Sequence, residues 1–202
     1  MDISLTYQHG WGAGWIAAEP AHMQRASHAL SHDGGVWLID PVDGDGLEEL
    51  LAPLGEVRGV LQLIDRHGRD GAALARRHGV PLLETPFDRV AGAPFEPVAV
   101  MRRRRWNETA LWWPEHAALV VADALGTAPY YRAPGDPLGV HPLLRLTPPR
   151  VLAAFEPRRL LPGHGPPLVG DEVAEQVRRA VEGSRRGIPR WLAGLPGARR
   201  RA

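Results

Sequence analysis

The 202-residue sequence contains no cysteine. This absence excludes disulfide bonds, thiolate metal ligands and cysteine nucleophiles, and it removes the usual indicator of the redox compartment. Lysine is absent as well, so all 24 basic residues are arginine. Because alanine, glycine and proline are abundant, we interpret the missing lysine as a coding bias and not as a functional signal.

Long hydrophobic segments are also absent. No apolar run approaches the roughly 20 residues that a membrane helix requires. The first residues, Met1-Asp2-Ile3-Ser4, lack the basic and then apolar pattern of a secretory signal. We therefore expect a cytoplasmic protein without a membrane partner.

Charge is nearly balanced. The 23 acidic residues leave a net charge of +1, so no nucleic-acid partner is expected despite the run Arg102-Arg103-Arg104-Arg105. The expected partner is a small-molecule ligand or substrate. The length suits one domain over residues 1–202, with a frayed tail at 198–202.

Residues 60–71 combine an apolar run with a polar cluster. The run ends at Ile64, and the cluster that follows it consists of Asp65, Arg66, His67, Arg69 and Asp70 with two glycines. Burial of the run as a strand places the cluster at the end of that strand, where α/β proteins often build active sites. Residues 118–123 and 159–165 have the same pattern and deliver Asp123 and His164 to strand ends.

The order of the predicted elements indicates the fold class. The first half reads as hairpin, helix, strand and helix, over residues 26–39, 44–54, 57–64 and 71–79. The second half repeats this order, with a hairpin near 98–121, a helix at 149–155, a strand at 159–161 and a helix at 171–183 capped by Asp171. Residues 126–149 are predicted to form a long loop and residues 188–195 a short helix. This pattern predicts a mixed α/β (α+β) protein, a four-layer αββα sandwich.

In this order, the elements resemble the metallo-β-lactamase superfamily over roughly residues 26–182. Three stretches carry the resemblance: Leu38-Ile39-Asp40-Pro41 after an early strand pair, the strand that ends at Asp123, and the turn Leu161-Pro162-Gly163-His164-Gly165. The resemblance implies an αββα fold, a hydrolase activity and a two-metal site whose main motif is His-x-His-x-Asp-His.

The metal motif departs from that pattern. In its place the sequence reads Asp65-Arg66-His67-Gly68-Arg69-Asp70, which keeps only the second histidine, as His67. The later histidine of the family has no counterpart near Arg102-Arg103-Arg104-Arg105, whereas Asp123 and His164 match the bridging aspartate and the last histidine. A guanidinium cannot coordinate a metal and repels a divalent cation, so Arg69 is incompatible with the usual metal pair.

Our leading hypothesis is therefore a protein without a metal cofactor that binds a small, possibly anionic ligand. Arg69 would pair with Asp70 or Asp123 in place of one metal ion, and Arg104 or a neighbour would replace the other. Arg66, Arg69 and Arg104 would attract the ligand to a pocket formed by His67, Asp70, Asp123 and His164.

The alternative hypothesis keeps one metal ion. Five side chains offer oxygen or nitrogen ligands for zinc, manganese or iron, namely Asp65, His67, Asp70, Asp123 and His164. One such ion could activate water for hydrolysis of an ester or phosphoester.

The remaining histidines and serines receive simpler interpretations. His9, His22, His28, His32 and His141 are expected in loops or at the surface, although His22 or His28 could line the pocket. His28 and His32 fall in a predicted strand, where their spacing does not suit a shared metal ion. No serine has the sequence context of a nucleophile elbow, so a serine hydrolase has little support.

Overall fold

The structure is a computed structural model that describes residues 1–18 and 23–200. Its first sheet has six strands in sequential order, β1 (Ile3–His9), β2 (Gly12–Ala17), β3 (Ala26–His32), β4 (Gly35–Ile39), β5 (Glu56–Gln62) and β6 (Leu82–Glu84). The first four strands run antiparallel to one another, whereas β5 is parallel to β4 and β6 is parallel to β5. Helices α1 (Leu47–Leu51) and α2 (Gly71–His78) provide the crossovers that parallel pairs need.

The second half contains strands β7 (Glu96–Arg103), β8 (Trp106–Trp113), β9 (Ala118–Val121), β10 (Leu125–Gly126), β11 (Gly139–Val140), β12 (Arg159–Pro162) and β13 (Leu168–Val169). Five of them form the second sheet in the order β13-β12-β9-β8-β7, and β10 pairs with β11. β12 is parallel to β9. Helices α3 (Val173–Glu182) and α4 (Ile188–Arg200) follow, and short 3-10 helices lie at Pro114–His116, Pro142–Leu144 and Arg150–Ala154.

Two apolar clusters define the layers. One joins residues of β4 and β5 to residues of β8, β9 and β12, and at its centre Phe95 makes edge contacts with Trp37 and Trp113. The other packs α1 and α2 against the opposite face of the first sheet. β9 is buried along its whole length, and α3 adds Val173, Val177 and Val181 to the first cluster. The predicted helix–sheet–sheet–helix arrangement is confirmed.

Several local predictions were wrong in detail. α3 begins at Val173 with Glu172 in the capping position and no side-chain cap, so Asp171 does not cap it. The predicted helix at 149–155 is a 3-10 helix, and the predicted loop at 126–149 includes β11, a 3-10 helix and the fully buried Tyr131. The short helix predicted at 188–195 is longer, since α4 continues to Arg200, and residues 201–202 lie outside the described residues.

The topology brings four strand ends together. Because β4 and β5 are parallel, as are β9 and β12, the ends of each pair meet at one edge of their sheet. At this edge the two sheets are joined by hydrogen bonds from the Ala26 amide to the Gly163 carbonyl and from the Thr109 amide to the Leu63 carbonyl. Among the described helices, none has the length and apolar character to cross a membrane.

Candidate metal centre

Three buried side chains converge at the joined strand ends. His67 follows β5, Asp123 follows β9 and His164 follows β12, and each is less than 10 % exposed. The Nε2 atoms of His67 and His164 lie 3.0 and 3.1 Å from Asp123 Oδ1 and 3.2 Å from each other. In the described part of the chain this trio is the one group of histidine and acidic residues close enough to share a metal ion.

The other ring nitrogen of each histidine determines its tautomer. His67 Nδ1 lies 2.9 Å from Asp40 Oδ2, and His164 Nδ1 lies 2.8 Å from the Met23 carbonyl oxygen. A carboxylate and a carbonyl only accept hydrogen bonds, so both Nδ1 atoms must donate. In the neutral rings the Nε2 lone pairs therefore face each other and Asp123 Oδ1. Such convergence is unfavourable unless a cation or a proton lies among the three atoms.

The distances suit a metal ion. Ligand atoms placed about 2.1 Å from an ion are separated by roughly 3.0 Å at right angles and roughly 3.4 Å at the tetrahedral angle. The observed separations of 3.0 to 3.2 Å fall in this range. The hydrogen bond of Asp40 to His67 also matches the carboxylate–histidine pairs that commonly orient metal ligands. The chemistry of the donor set therefore fits a single divalent ion.

A proton is the other way to join the three groups. Burial opposes the charged form of His67, but Asp40 and Asp123 outweigh burial and the charge of Arg69, so the pKa of His67 is raised. The pKa of His164 is lowered, chiefly by burial. Burial would raise the pKa of Asp123, but its close contacts with His164 and His67 hold it well below its usual range. Without a metal ion, His67 would carry the proton.

Two further side chains contact Asp123. Glu108 Oε1 accepts hydrogen bonds from the backbone amides of Asp123 and Ala124, at 3.0 and 2.8 Å. Burial, and then the charge of Asp123, raise the pKa of Glu108 to about 7. Tyr131 directs its hydroxyl at Asp123 Oδ1 over 3.4 Å, and its ring stacks on His164. Both residues hold the Asp123 segment in place.

Arg69 connects the two sheets beside the centre. Its guanidinium donates to the carbonyl oxygens of Ala26 (2.5 Å), Asp40 (2.7 Å) and Gly163 (2.9 Å). The expected pairing of Arg69 with Asp70 or Asp123 was wrong, because both terminal nitrogens of the guanidinium donate to the three backbone carbonyls instead. Arg69 still acts on Asp40 and Asp123 through its charge.

The other predicted ligand-binding arginines lie further out. Arg66 stacks on Trp106, with its guanidinium carbon 4.1 Å from the ring centroid, and its Nε is 4.0 Å from Asp123 Oδ2. This places a positive charge at the rim of the centre. Arg104 is exposed in the turn between β7 and β8. It is therefore not brought into the cluster.

Two predicted metal ligands are engaged elsewhere. Asp65 Oδ2 accepts from the backbone amide of Asn107 at 3.1 Å, and Asp70 Oδ2 accepts from the backbone amide of Asp43 at 2.9 Å. Neither joins the trio of His67, Asp123 and His164. Of the five proposed metal ligands, the structure therefore brings three together.

Sequence reasoning missed the roles of Asp40, Glu108 and Tyr131. Asp40 had a usable signal, because Leu38-Ile39-Asp40-Pro41 places an acid at a strand end next to the β5 end. Glu108 lies within β8, where an acidic residue looks like a solvent-facing position. Tyr131 lies in the predicted loop. For Glu108 and Tyr131 the sequence pattern held no comparable signal.

The interpretation of His28 and His141 as loop or surface residues was wrong, because both are buried. His28 lies in β3, as predicted, and contacts the Tyr7 hydroxyl at 3.2 Å and the Pro162 carbonyl at 3.0 Å. The carbonyl fixes the proton on Nε2, so Nδ1 accepts from Tyr7. His22 lies outside the described residues.

His28 should make the protein less stable in acid. Burial lowers its pKa from 6.5 to about 4, so the unfolded chain binds the proton more tightly than the folded one. The stability that the folded protein gains by keeping His28 neutral is fully present above pH 6.5 and is lost as the pH falls towards 4. Between pH 7 and 4.5, we expect the free energy of unfolding of wild type to fall by about 2 kcal/mol more than that of His28→Gln. Urea unfolding of both proteins across this range measures the difference, and parallel curves would contradict the assignment.

Neither a protein-family model nor a curated protein sequence matches the chain. Solved structures do match it. FIM-1 metallo-β-lactamase from Pseudomonas aeruginosa in its mono-zinc form aligns with a TM-score of 0.62 and 12 % identity, over 92 % of this chain and 97 % of that one. The metallo-β-lactamase from Pontibacter korlensis aligns with a TM-score of 0.60 and 13 % identity, over 90 % and 99 %.

A sensor protein also has a similar structure. The apo state of the chemotaxis sensor ODP from T. denticola aligns with a TM-score of 0.55 and 9 % identity, over 89 % of this chain and 93 % of that one. These likenesses, together with the sheet order, show that the chain has the metallo-β-lactamase fold. Its buried His-Asp-His group could hold a metal ion.

Proposed function

We propose that the chain is a single-metal hydrolase that binds one divalent zinc, manganese or iron ion through His67, Asp123 and His164 and acts on an ester or phosphoester. The observation that carries the proposal is the convergence of two histidine lone pairs on Asp123 Oδ1, with both tautomers fixed by acceptors at Nδ1. A structure of the same fold exists in a mono-zinc form, which supports one ion as sufficient occupancy.

Three features favour one ion over two. Arg69 brings a fixed positive charge close enough to interact with Asp123, His67 and His164. Asp70, a potential ligand for a second ion, is bound to the Asp43 amide. Asp65, a potential ligand for the first, is bound to Asn107. A second divalent ion would therefore face a nearby cation and too few free ligands.

The residues around the candidate metal centre have distinct roles. When bound, a divalent ion acts as a Lewis acid towards the substrate oxygen and towards water. Asp40 keeps the His67 proton on Nδ1, and Met23 does the same for His164. Arg66, stacked on Trp106 at the rim, would hold the negative charge of a phosphoester. Tyr131 presents a hydroxyl donor beside Asp123.

Metal content tests the proposal directly. Protein purified from metal-supplemented medium should contain about one ion per chain, and His67→Ala should lose it because only two ligands remain. His9→Ala, at an exposed position, is the matched control and should retain the ion. Hydrolysis of p-nitrophenyl acetate or bis(p-nitrophenyl) phosphate should be abolished by a chelator and restored by the ion.

The raised pKa of His67 favours a second candidate, a protein without metal that binds an anion next to Arg66. In this case His67 carries the proton and joins Asp123 to His164. Purified protein would hold no metal and hydrolyse neither substrate, but sulfate would raise its melting temperature and Arg66→Gln would remove that effect. Stoichiometric metal with chelator-sensitive turnover rules out this candidate.

A further inference from the structure

A second candidate site lies away from the metal centre. A cavity of about 550 Å³ opens between the 135–140 segment and helices α3 and α4, and none of the metal-centre residues lines it. Its volume is in the range of small-molecule sites. The polar side chains of its wall include four arginines, one amide and one carboxylate: Arg145, Arg179, Arg186, Arg190, Gln176 and Asp136.

The wall is strongly positive. Asp136 is engaged by Arg190 at 2.9 Å, and Arg179 bonds to Glu175 on the same face of α3. Arg145 donates to the Tyr131 carbonyl instead of to a carboxylate, and Arg186 makes no ion pair within the described residues. Two guanidinium groups therefore line the cavity without a bonded counter-charge. Small anions are attracted to such a surface.

Two buried polar atoms in the wall lack partners. Arg145 is only 5 % exposed, yet its Nε makes no hydrogen bond within the described residues, and the same holds for Gln176 Oε1. Neither atom is accessible to solvent, so a ligand in the cavity would contact Arg145 through the rest of its guanidinium group and not through Nε. Arg145 also lies over Trp191, 5.0 Å from the ring centroid, which fixes the plane of its guanidinium.

We propose that this cavity binds a small phosphomonoester. The phosphate oxygens accept from Arg145 and Arg186, for which the planar guanidinium is well suited. Leu138, Val140 and Ala180 supply an apolar wall for the rest of the molecule. This site is separate from the metal centre and does not depend on the hydrolase proposal.

Calorimetric titration with ribose 5-phosphate and with inorganic phosphate, at constant ionic strength, tests the proposal. Wild type should bind ribose 5-phosphate saturably and more tightly than inorganic phosphate. Arg186→Gln should weaken binding about tenfold, the loss expected for one charge-assisted hydrogen bond. Arg145→Gln should weaken binding of ribose 5-phosphate at least as much. Because Arg186 is exposed, the Arg186→Gln variant still tests the proposal if the Arg145→Gln variant fails to fold.

Two matched variants locate the binding. Arg185→Gln changes the neighbouring arginine, which does not line this cavity and bonds to the Leu146 carbonyl, and it should leave affinity within twofold of wild type. Arg66→Gln removes the arginine at the metal centre and should also leave the affinity for ribose 5-phosphate unchanged. The proposal is overturned by absence of saturable binding, by equal weakening in Arg185→Gln, or by loss of binding in Arg66→Gln, which would place the anion at the metal centre.

Discussion

Arg69→Met is expected to lower the free energy of unfolding by about 3 kcal/mol, equivalent to roughly 6 to 12 °C in melting temperature for a chain of this size. The substitution keeps the aliphatic stem and removes three hydrogen bonds to carbonyls of β3, the β4 end and the β12 end. It also removes the positive charge that offsets the buried carboxylates of Asp40 and Asp123. The effect is large because one side chain joins both sheets.

Arg76→Met provides the control, since Arg76 is exposed on α2 and its loss should change stability by less than about 0.5 kcal/mol. Arg69→Lys should fall between the two, because an ammonium group keeps the charge but cannot span three carbonyls. Thermal and urea unfolding of the four proteins give the ranking. If Arg69→Met has the same melting temperature as wild type, the guanidinium group does not hold the two sheets together.

For the proposed hydrolysis of bis(p-nitrophenyl) phosphate, Asp40→Asn is expected to reduce kcat/KM by about 10² to 10⁴ while the fold is retained. Asp40 Oδ1 accepts from the Leu63 amide at 2.8 Å, and Oδ2 accepts from His67 Nδ1. An asparagine that keeps the Leu63 bond must turn its NH2 group towards His67. The His67 proton then moves to Nε2 and points into the metal position, so the ligand lone pair is lost.

Metal affinity measured by competition with a chelator separates this cause from a folding defect. Affinity should fall together with activity, and Asp45→Asn, the same change at an exposed position, should alter neither. Retention of full metal affinity in Asp40→Asn would mean that Asp40 does not set the His67 tautomer.

The strand ends that carry the site could be predicted because an apolar run that stops at a polar residue is typical of a core strand reaching the edge of its sheet. His67, Asp123 and His164 were all identified in this way, and the αββα order followed from two repeated series of hairpin, helix, strand and helix. The prediction of the neighbours was less successful. Asp65 and Asp70 have the right chemistry at the right place along the chain, but backbone amides of Asn107 and Asp43 bind them.

The failure at Arg69 has a different physical origin. Its partners are backbone carbonyls, which every residue possesses, so the sequence around them contains no distinguishing signal. The turn itself is unusual, since Arg69 adopts a positive φ of 36°, a conformation that bulky side chains seldom occupy. The Pro-Gly-His-Gly turn, by contrast, was recognised from its resemblance to the superfamily's turn. The structure requires glycine there, because a Cβ at Gly163 would lie 2.8 Å from the Ala122 carbonyl oxygen and 3.1 Å from His67 Cε1.

The separation of the site residues along the chain has a consequence for folding. His67 is 27 residues from Asp40 and 97 residues from His164, so the centre cannot form until both halves of the chain have docked. Contacts between such distant residues require a large loss of chain entropy before they form. An ion that binds here therefore selects the completely folded chain, and at a hundredfold excess over its Kd it would add about 2.7 kcal/mol to global stability.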